Sequence, residues 1–296
     1  MARHNRAAAF DAAAQSSARV ARWSDAASDP NNIDAVAHRA RRLASAWRPP
    51  IRSRHEFLVE RARGRNVLDI GCVAHDEARM ESPDWLHRQI ADAADRCVGV
   101  DILEAGVRAM VDRGFDAVAH DLSAGLGPLA QRGPFDLITA GELIEHVANL
   151  DMLFAVAEEG LSGRGELILT TPNPYAPQRV RAGQRGIVWE NVDHVSYAFP
   201  SGIAELAERH GLVLSAAFTT IAARRTGSLV ARFKRWLRGS FWQATGFAPS
   251  GVSQIEPVSI EPPMWSRLVA RLRPTPPFVG ETFVYVIRRH HDEAES

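Results

Sequence analysis

The chain has 296 residues, 46% of them hydrophobic, and its 35 basic and 35 acidic side chains cancel. That suits one large α/β domain with extensions or two smaller domains, and the balance leaves no global field to draw the protein to nucleic acid. No apolar run approaches the ~18 residues of a spanning helix, and the N-terminus carries arginines without an apolar h-region, so a bacterial cytoplasmic location is expected.

Residues 1–55 are rich in Ala, Arg and Ser, broken at Asp29-Pro30-Asn31-Asn32 and again at Pro49-Pro50. They read as a tail and one or two helices capping the domain. From 56 to 222 short apolar runs alternate with helical patterns, the signature of a parallel sheet built from βαβ units. The predicted strands are 66–71, 97–101, 116–119, 135–140 and 165–171, followed by 212–219 and, in the closing segment 281–296, by 281–288. Ser82-Pro83-Asp84 opens a helix with a cap, a first-turn proline and an early acid. Asn149 caps the helix that ends near Leu161, and Pro200-Ser201 opens another that Gly211 closes at C′. The cysteines, Cys72 and Cys97, give neither a metal-binding spacing nor a disulfide framework and read as small buried thiols at strand ends.

Two runs carry the first chemical signal. Asn66–Cys72 (NVLDIGC) and Val98–Asp101 (VGVD) each end a buried strand on a polar or glycine-bearing turn, the place where open α/β sheets bind ligands. Gly71 permits a tight turn and close backbone approach, while Asp101 offers a carboxylate to both hydroxyls of a ribose. Asp101 also reads as an N-cap for the helix that follows. The pair points to a nucleotide-like cofactor.

These runs resemble the first motif and the acidic ribose-binding motif of class I S-adenosylmethionine (SAM)-dependent methyltransferases. Three later segments extend the resemblance. Asp121 and Leu122 follow the third strand, and GELIEHV (Gly141–Val147) is similar to the loop of small-molecule O-methyltransferases of the ubiquinone-biosynthesis type. TTPNP (Thr170–Pro174), the Asp193-His194-Val195 segment and Trp85-Leu86-His87 look like methyltransferases of bacterial cell-envelope clusters. The resemblance implies a Rossmann-like seven-stranded sheet with helices on both faces, its last strand antiparallel beside the sixth. It implies SAM as cofactor, held by Asp69, Gly71, Cys72, Asp101, Ile102, Asp121, Leu122 and Glu142, with Ile102 on the adenine and Asp121 accepting from its amino group. The chain departs from the pattern in the first loop, where Val73, Ala74 and His75 replace glycines and about ten residues, 73–82, precede the next helix.

Acid–base chemistry falls to Glu142, Glu145 and His146, since an imidazole suits proton transfer near neutral pH. His194 is a second candidate base, carried with Asn173 and Tyr175 over the mouth of the site by an extended exit stiffened by Pro172 and Pro174. The histidines at 75, 87, 120, 146 and 194 are scattered without a metal-binding spacing, so no metal is expected.

Between strands six and seven lies an insertion, 223–280. Within it 228–238 places Leu229, Val230, Phe233, Trp236 and Leu237 on one arc and Arg232, Lys234, Arg235 and Arg238 on the other. Such a helix either lies on an anionic membrane surface or packs its apolar stripe on the core. The leading reading is a SAM-dependent methyltransferase that O-methylates a sugar or other small hydroxylated acceptor, including a lipid-linked or cell-envelope glycan. An NAD-linked enzyme lacks its G-x-G-x-x-G, and methylation of nucleic acid lacks the N-P-P-[YF] signature. A non-catalytic scaffold with a methyltransferase-like fold is the alternative.

Overall fold

The computed structural model describes residues 22–73, 77–188, 190–220 and 280–290. Its strands are β1 (Asn66–Ile70), β2 (Arg96–Asp101), β3 (Ala117–Ala119), β4 (Phe135–Gly141), β5 (Leu161–Pro172), β6 (Leu212–Thr219) and β7 (Thr282–Arg289). They form one sheet in the order β3-β2-β1-β4-β5-β7-β6. Strands β1 to β5 pair in parallel, and β7 runs antiparallel between β5 and β6. The chain therefore reverses its strand order between β1 and β4, and the crevice at that switch point is where α/β sheets take ligands.

Helices cover both faces, which is why the central strands read as continuous apolar runs rather than alternating ones. On one face α3 (Arg54–Ala62) and α4 (Leu86–Ala93) bury Leu58, Ala62 and Ile90 against Val67, Leu137, Ile168, Val284 and Val286. On the other, α6 (Asp151–Gly160) and α8 (Pro200–Arg209) pack Leu153, Phe154, Ala157, Ile203 and Ala207 against Leu68, Ile70, Ile138, Leu167, Leu169 and Tyr285. The two-residue period of each strand sorts these sets. α5 (Glu104–Asp112) supports β2 and β3, and α7 (Pro177–Gly183) lies beyond β5.

The N-terminal extension contributes α1 (Trp23–Ala26) and α2 (Ile33–Ala46), the latter capped by Asn32, whose Oδ1 accepts from the Asp34 amide at 2.8 Å. α2 packs on β6 and α8, and Trp47 and Ile51 then run parallel beside Ala217 and Thr220. The tail before residue 22 and the 228–238 segment lie outside the described residues. No helix among the described residues is long and apolar enough to cross a membrane.

Two elements differ from the sequence expectation. β5 begins at Leu161, because Phe135 pairs with Leu161 across an irregularity before regular pairing resumes at Leu137 and Glu166. The expected helix at Ser82 starts only at Leu86. A 3-10 turn, Glu77–Glu81, precedes it, and Ser82 Oγ accepts instead from the Asp84 amide in a local turn at 3.2 Å.

Candidate active site

The C-terminal ends of β1, β2, β4 and β5 deliver most of the candidate side chains to one edge of the sheet. After β1 the chain turns at Gly71, whose φ of +72° only glycine adopts without strain. A Cβ there would also lie 2.9 Å from Leu143 Cδ1. Beside it, the Asp101 carboxylate accepts from the Val73 amide (3.1 Å) and from the Leu103 amide (3.0 Å). Both oxygens are thereby fixed in position, and each keeps lone-pair capacity for a ligand. Ile102 next to it is 68% exposed, a large apolar side chain held out at the edge.

The side chains of several other expected contacts already have protein partners. Asp69 is buried and its Oδ2 faces His87 Nδ1 at 2.8 Å, so its carboxylate points into the α4 face rather than up at a ligand. The Cys72 side chain is buried, with Sγ 3.6 Å from Met110 Sδ, and burial pushes its thiol far above the ordinary range. Leu122 packs in the core, while Asp121 is exposed and its Oδ1 accepts from the Ser123 amide at 2.9 Å. Hydrogen bonding from Ser123 holds the Asp121 carboxyl below its usual range. Asn173 is buried and anchors the β5 exit, donating from Nδ2 to the Gly280 carbonyl and accepting from the Tyr175 amide. Tyr175 is half exposed at the mouth, its ring 5.7 Å from that of Phe199.

The fourth loop concentrates the titratable groups. Glu142 has φ +54°, the one positive value among described non-glycine residues, and its amide donates to both the carbonyl and the hydroxyl of Thr170. A strained residue held this way aims its side chain. Burial raises the Glu142 carboxyl, partly offset by Arg54 and Arg179. Glu145, 1% exposed, accepts from Thr171 Oγ1 at 3.0 Å. Burial and the neighbouring Glu142 charge push its pKa up to about 7. His146 lies beside it, and His194 comes in from the far segment with the two imidazole rings 4.8 Å apart, edge to face.

The scatter of histidines along the chain concealed this meeting. One ligating atom from each of Glu145, His146 and His194 falls within 4.8 Å of the others, a set able to hold a metal ion. Strand ends place both groups at the mouth, but no spacing shows them in contact; the two segments are tied there by the Val195 amide, which donates to the Glu145 carbonyl at 2.8 Å. Residues beyond the sequence expectation orient both rings: Asp193 Oδ2 lies 3.1 Å from His146 Nδ1, and Glu190 Oε2 lies 3.1 Å from His194 Nδ1. Burial raises Glu190, but hydrogen bonds from Tyr197 and Arg179 outweigh it and hold the carboxyl below its usual range.

Arg54 is another addition. It reaches from the first turn of α3 over Gly141, with Nε 3.9 Å from Glu142 Oε1, and its buried Nη1 has no hydrogen-bond partner. Its position before the first motif gave no signal in sequence.

A family model described as a methyltransferase domain matches residues 36–217, more than half of the chain. The chain belongs to the SAM-dependent class I methyltransferases. Among solved structures, a SAM-dependent methyltransferase from Archaeoglobus fulgidus is 14% identical over 79% of this chain and 94% of that one, at TM-score 0.44. Magnesium protoporphyrin IX methyltransferase from Synechocystis, with bound SAH, is 18% identical over 56% and 73% of the two chains, at TM-score 0.42. The O-methyltransferase of a trans-AT PKS multienzyme from Brevibacillus brevis, in complex with S-adenosyl-L-homocysteine, is 14% identical over 79% and 71%, at TM-score 0.41. No curated protein matches the chain.

The methyltransferase edge fits SAM on three counts. A glycine turn leaves room at the end of β1, Asp101 presents a fixed carboxylate at the end of β2, and Arg54 has a donor with no protein partner above the switch point. SAM laid along this edge with its ribose at Asp101 would carry adenine toward β3, beside the exposed Ile102, and its amino-acid portion toward Gly71, Glu142 and Arg54.

Proposed function

We propose that this methyltransferase transfers the SAM methyl group to a hydroxyl of a sugar or other small hydroxylated acceptor, including the saccharide of a cell-envelope glycan. The convergence of Glu142, Glu145, His146 and His194 at the mouth of the cofactor edge carries the reading. An O-directed transfer needs a group that accepts the hydroxyl proton as the carbon–oxygen bond forms and the sulfur–carbon bond breaks. His146 and His194 are the candidates for that group, each oriented by an acidic neighbour on Nδ1. Tyr175 and Phe199 support a sugar acceptor, since paired, part-exposed aromatic rings offer apolar faces to a pyranose while the loop beneath offers polar groups.

Positioning contributes as much as proton transfer. Holding acceptor oxygen and methyl carbon in line turns a bimolecular step into an effectively unimolecular one, an advantage of up to ~7–11 kcal/mol in well-oriented cases. Arg54 would hold the carboxylate of the cofactor's amino-acid portion. A divalent cation held by Glu145, His146 and His194 would occupy the imidazole lone pairs; when bound it would lower the pKa of a coordinated hydroxyl and leave the proton to Glu142.

Labelled methyl from SAM, offered with nucleotide sugars and with cell-envelope extract, tests the reading. Transfer to a hydroxylated product is expected, reduced at least a hundredfold in His146→Ala and His194→Ala and reduced by chelator in the parent protein. Absence of transfer to every hydroxylated acceptor from a protein that binds SAM would overturn it in favour of a non-catalytic scaffold.

A further inference from the structure

We propose that Trp85 and His87 are positioning residues for the cofactor loop Gly71–Val73, setting from beneath the sheet edge a backbone path that glycines set in the usual first motif. The proposal rests on SAM as the ligand of this edge. Residues after Gly71 are bulky here, so the loop needs an external constraint, and α4 supplies it at two points. Trp85 Nε1 donates to the Cys72 carbonyl at 3.2 Å, and His87 Nδ1 lies 2.8 Å from Asp69 Oδ2 with both side chains almost fully buried. A buried carboxylate tied to an imidazole is costly to separate, so the pair fixes the end of β1 against α4.

The surrounding residues make room for this arrangement. A Cβ on Gly99 would lie 2.7 Å from Cys72 Sγ and 2.9 Å from His87 Cε1. A Cβ on Gly106 would overlap Val73 Cγ1. The bulk that entered the loop at Cys72 and Val73 is thus met by glycines in β2 and α5. Phe115 closes the group, its ring 4.9 Å from Trp85 and 5.5 Å from His87. Strand parity explains the direction of Asp69: it shares its face with Val67, the α4 face, so its carboxylate serves the scaffold and reaches the cofactor only through the loop.

Because Gly71–Val73 lie on the amino-acid side of Asp101, loosening the clamp acts on one half of the ligand. S-adenosylhomocysteine carries that half, and 5′-methylthioadenosine lacks it. Calorimetric titration of both ligands into the parent, His87→Phe, His87→Asn and Trp85→Phe proteins tests the idea without turnover. His87→Phe and Trp85→Phe are expected to weaken S-adenosylhomocysteine tenfold or more while methylthioadenosine stays within about twofold. His87→Asn, whose amide nitrogen matches the Nδ1 donor, is expected to restore most of the loss. Equal weakening of both ligands, or parental affinity for both in His87→Phe and Trp85→Phe, would overturn the proposal. A parent protein that binds neither ligand would instead overturn the SAM reading and remove the basis of this one. Should His87→Phe fail to fold, Trp85→Phe, which removes one N–H and keeps an aromatic ring, decides the matter.

Discussion

Glu145→Gln should stabilise the protein, and only at neutral and alkaline pH. Glu145 is 1% exposed and its pKa stands at about 7, against an ordinary value of 4.5. Between those two pH values the unfolded chain has lost the proton and the native state still holds it, so raising the pH favours unfolding. At 1.36 kcal/mol per pH unit the interval corresponds to about 3 kcal/mol, absent below pH 4.5 and fully present above pH 7. Glutamine stays neutral throughout and keeps an acceptor for Thr171 Oγ1, so it escapes the cost without orphaning its partner. Urea unfolding of chelator-treated parent and variant, extrapolated to water, reads the difference directly. We expect under about 1 kcal/mol in favour of the variant at pH 5, rising to about 3 kcal/mol at pH 8. A gap that is the same at both pH values would refute the argument, because a packing or hydrogen-bond effect does not titrate. A divalent cation should add stability to the parent at pH 8 and much less to the variant, which has lost a charged ligand.

Gly106→Ala should destabilise by about 1–3 kcal/mol in denaturant unfolding, since its Cβ meets Val73 Cγ1 on a helix packed against β2; an unchanged midpoint would show that α5 can slide. Tyr285→Phe should cost about 1–2 kcal/mol, because the hydroxyl donates to the Ala198 carbonyl at 2.8 Å in the core, and a neutral substitution would mean that carbonyl finds water. Arg54→Met should weaken S-adenosylhomocysteine at least tenfold by calorimetry and leave methylthioadenosine unaffected; retention of full affinity would remove Arg54 from the site.

The fold was legible because its strands are covered on both faces. Buried parallel strands leave apolar runs such as NVLDI and RCVGVD that need no context to recognise, and their C-terminal turns announced Gly71 and Asp101. Element edges were less legible where two weak signals competed. Ser82 caps a local turn instead of the helix, and β5 begins four residues early, at Leu161, through pairing with Phe135. Side-chain roles followed a different rule. Residues whose function lies in the backbone or in a strand's own direction could be read, whereas those defined by a distant partner could not. His146 and His194 stand forty-eight positions apart and meet through a loop contact at the Glu145 carbonyl, a relation no spacing encodes.

Asp69 shows how far the pattern itself extends. Its place in the first motif suggested a ligand contact, yet the alternation of β1 already put it on the Val67 face, opposite Leu68 and Ile70. Parity therefore favoured a partner on α4, and His87 is that partner. The same reasoning separates the two halves of the site. The cofactor half is fixed by strand ends and by glycines that admit bulky neighbours, features that tolerate little change because backbone and core define them. The proposed acceptor half comprises Glu142–His146 and the 175–199 segment, joined by ion pairs and one shared carbonyl, and Val188, Val192 and Val195 there stand largely exposed. Substitutions at those exposed positions would cost the fold little, so under the proposed function they are where acceptor specificity would vary.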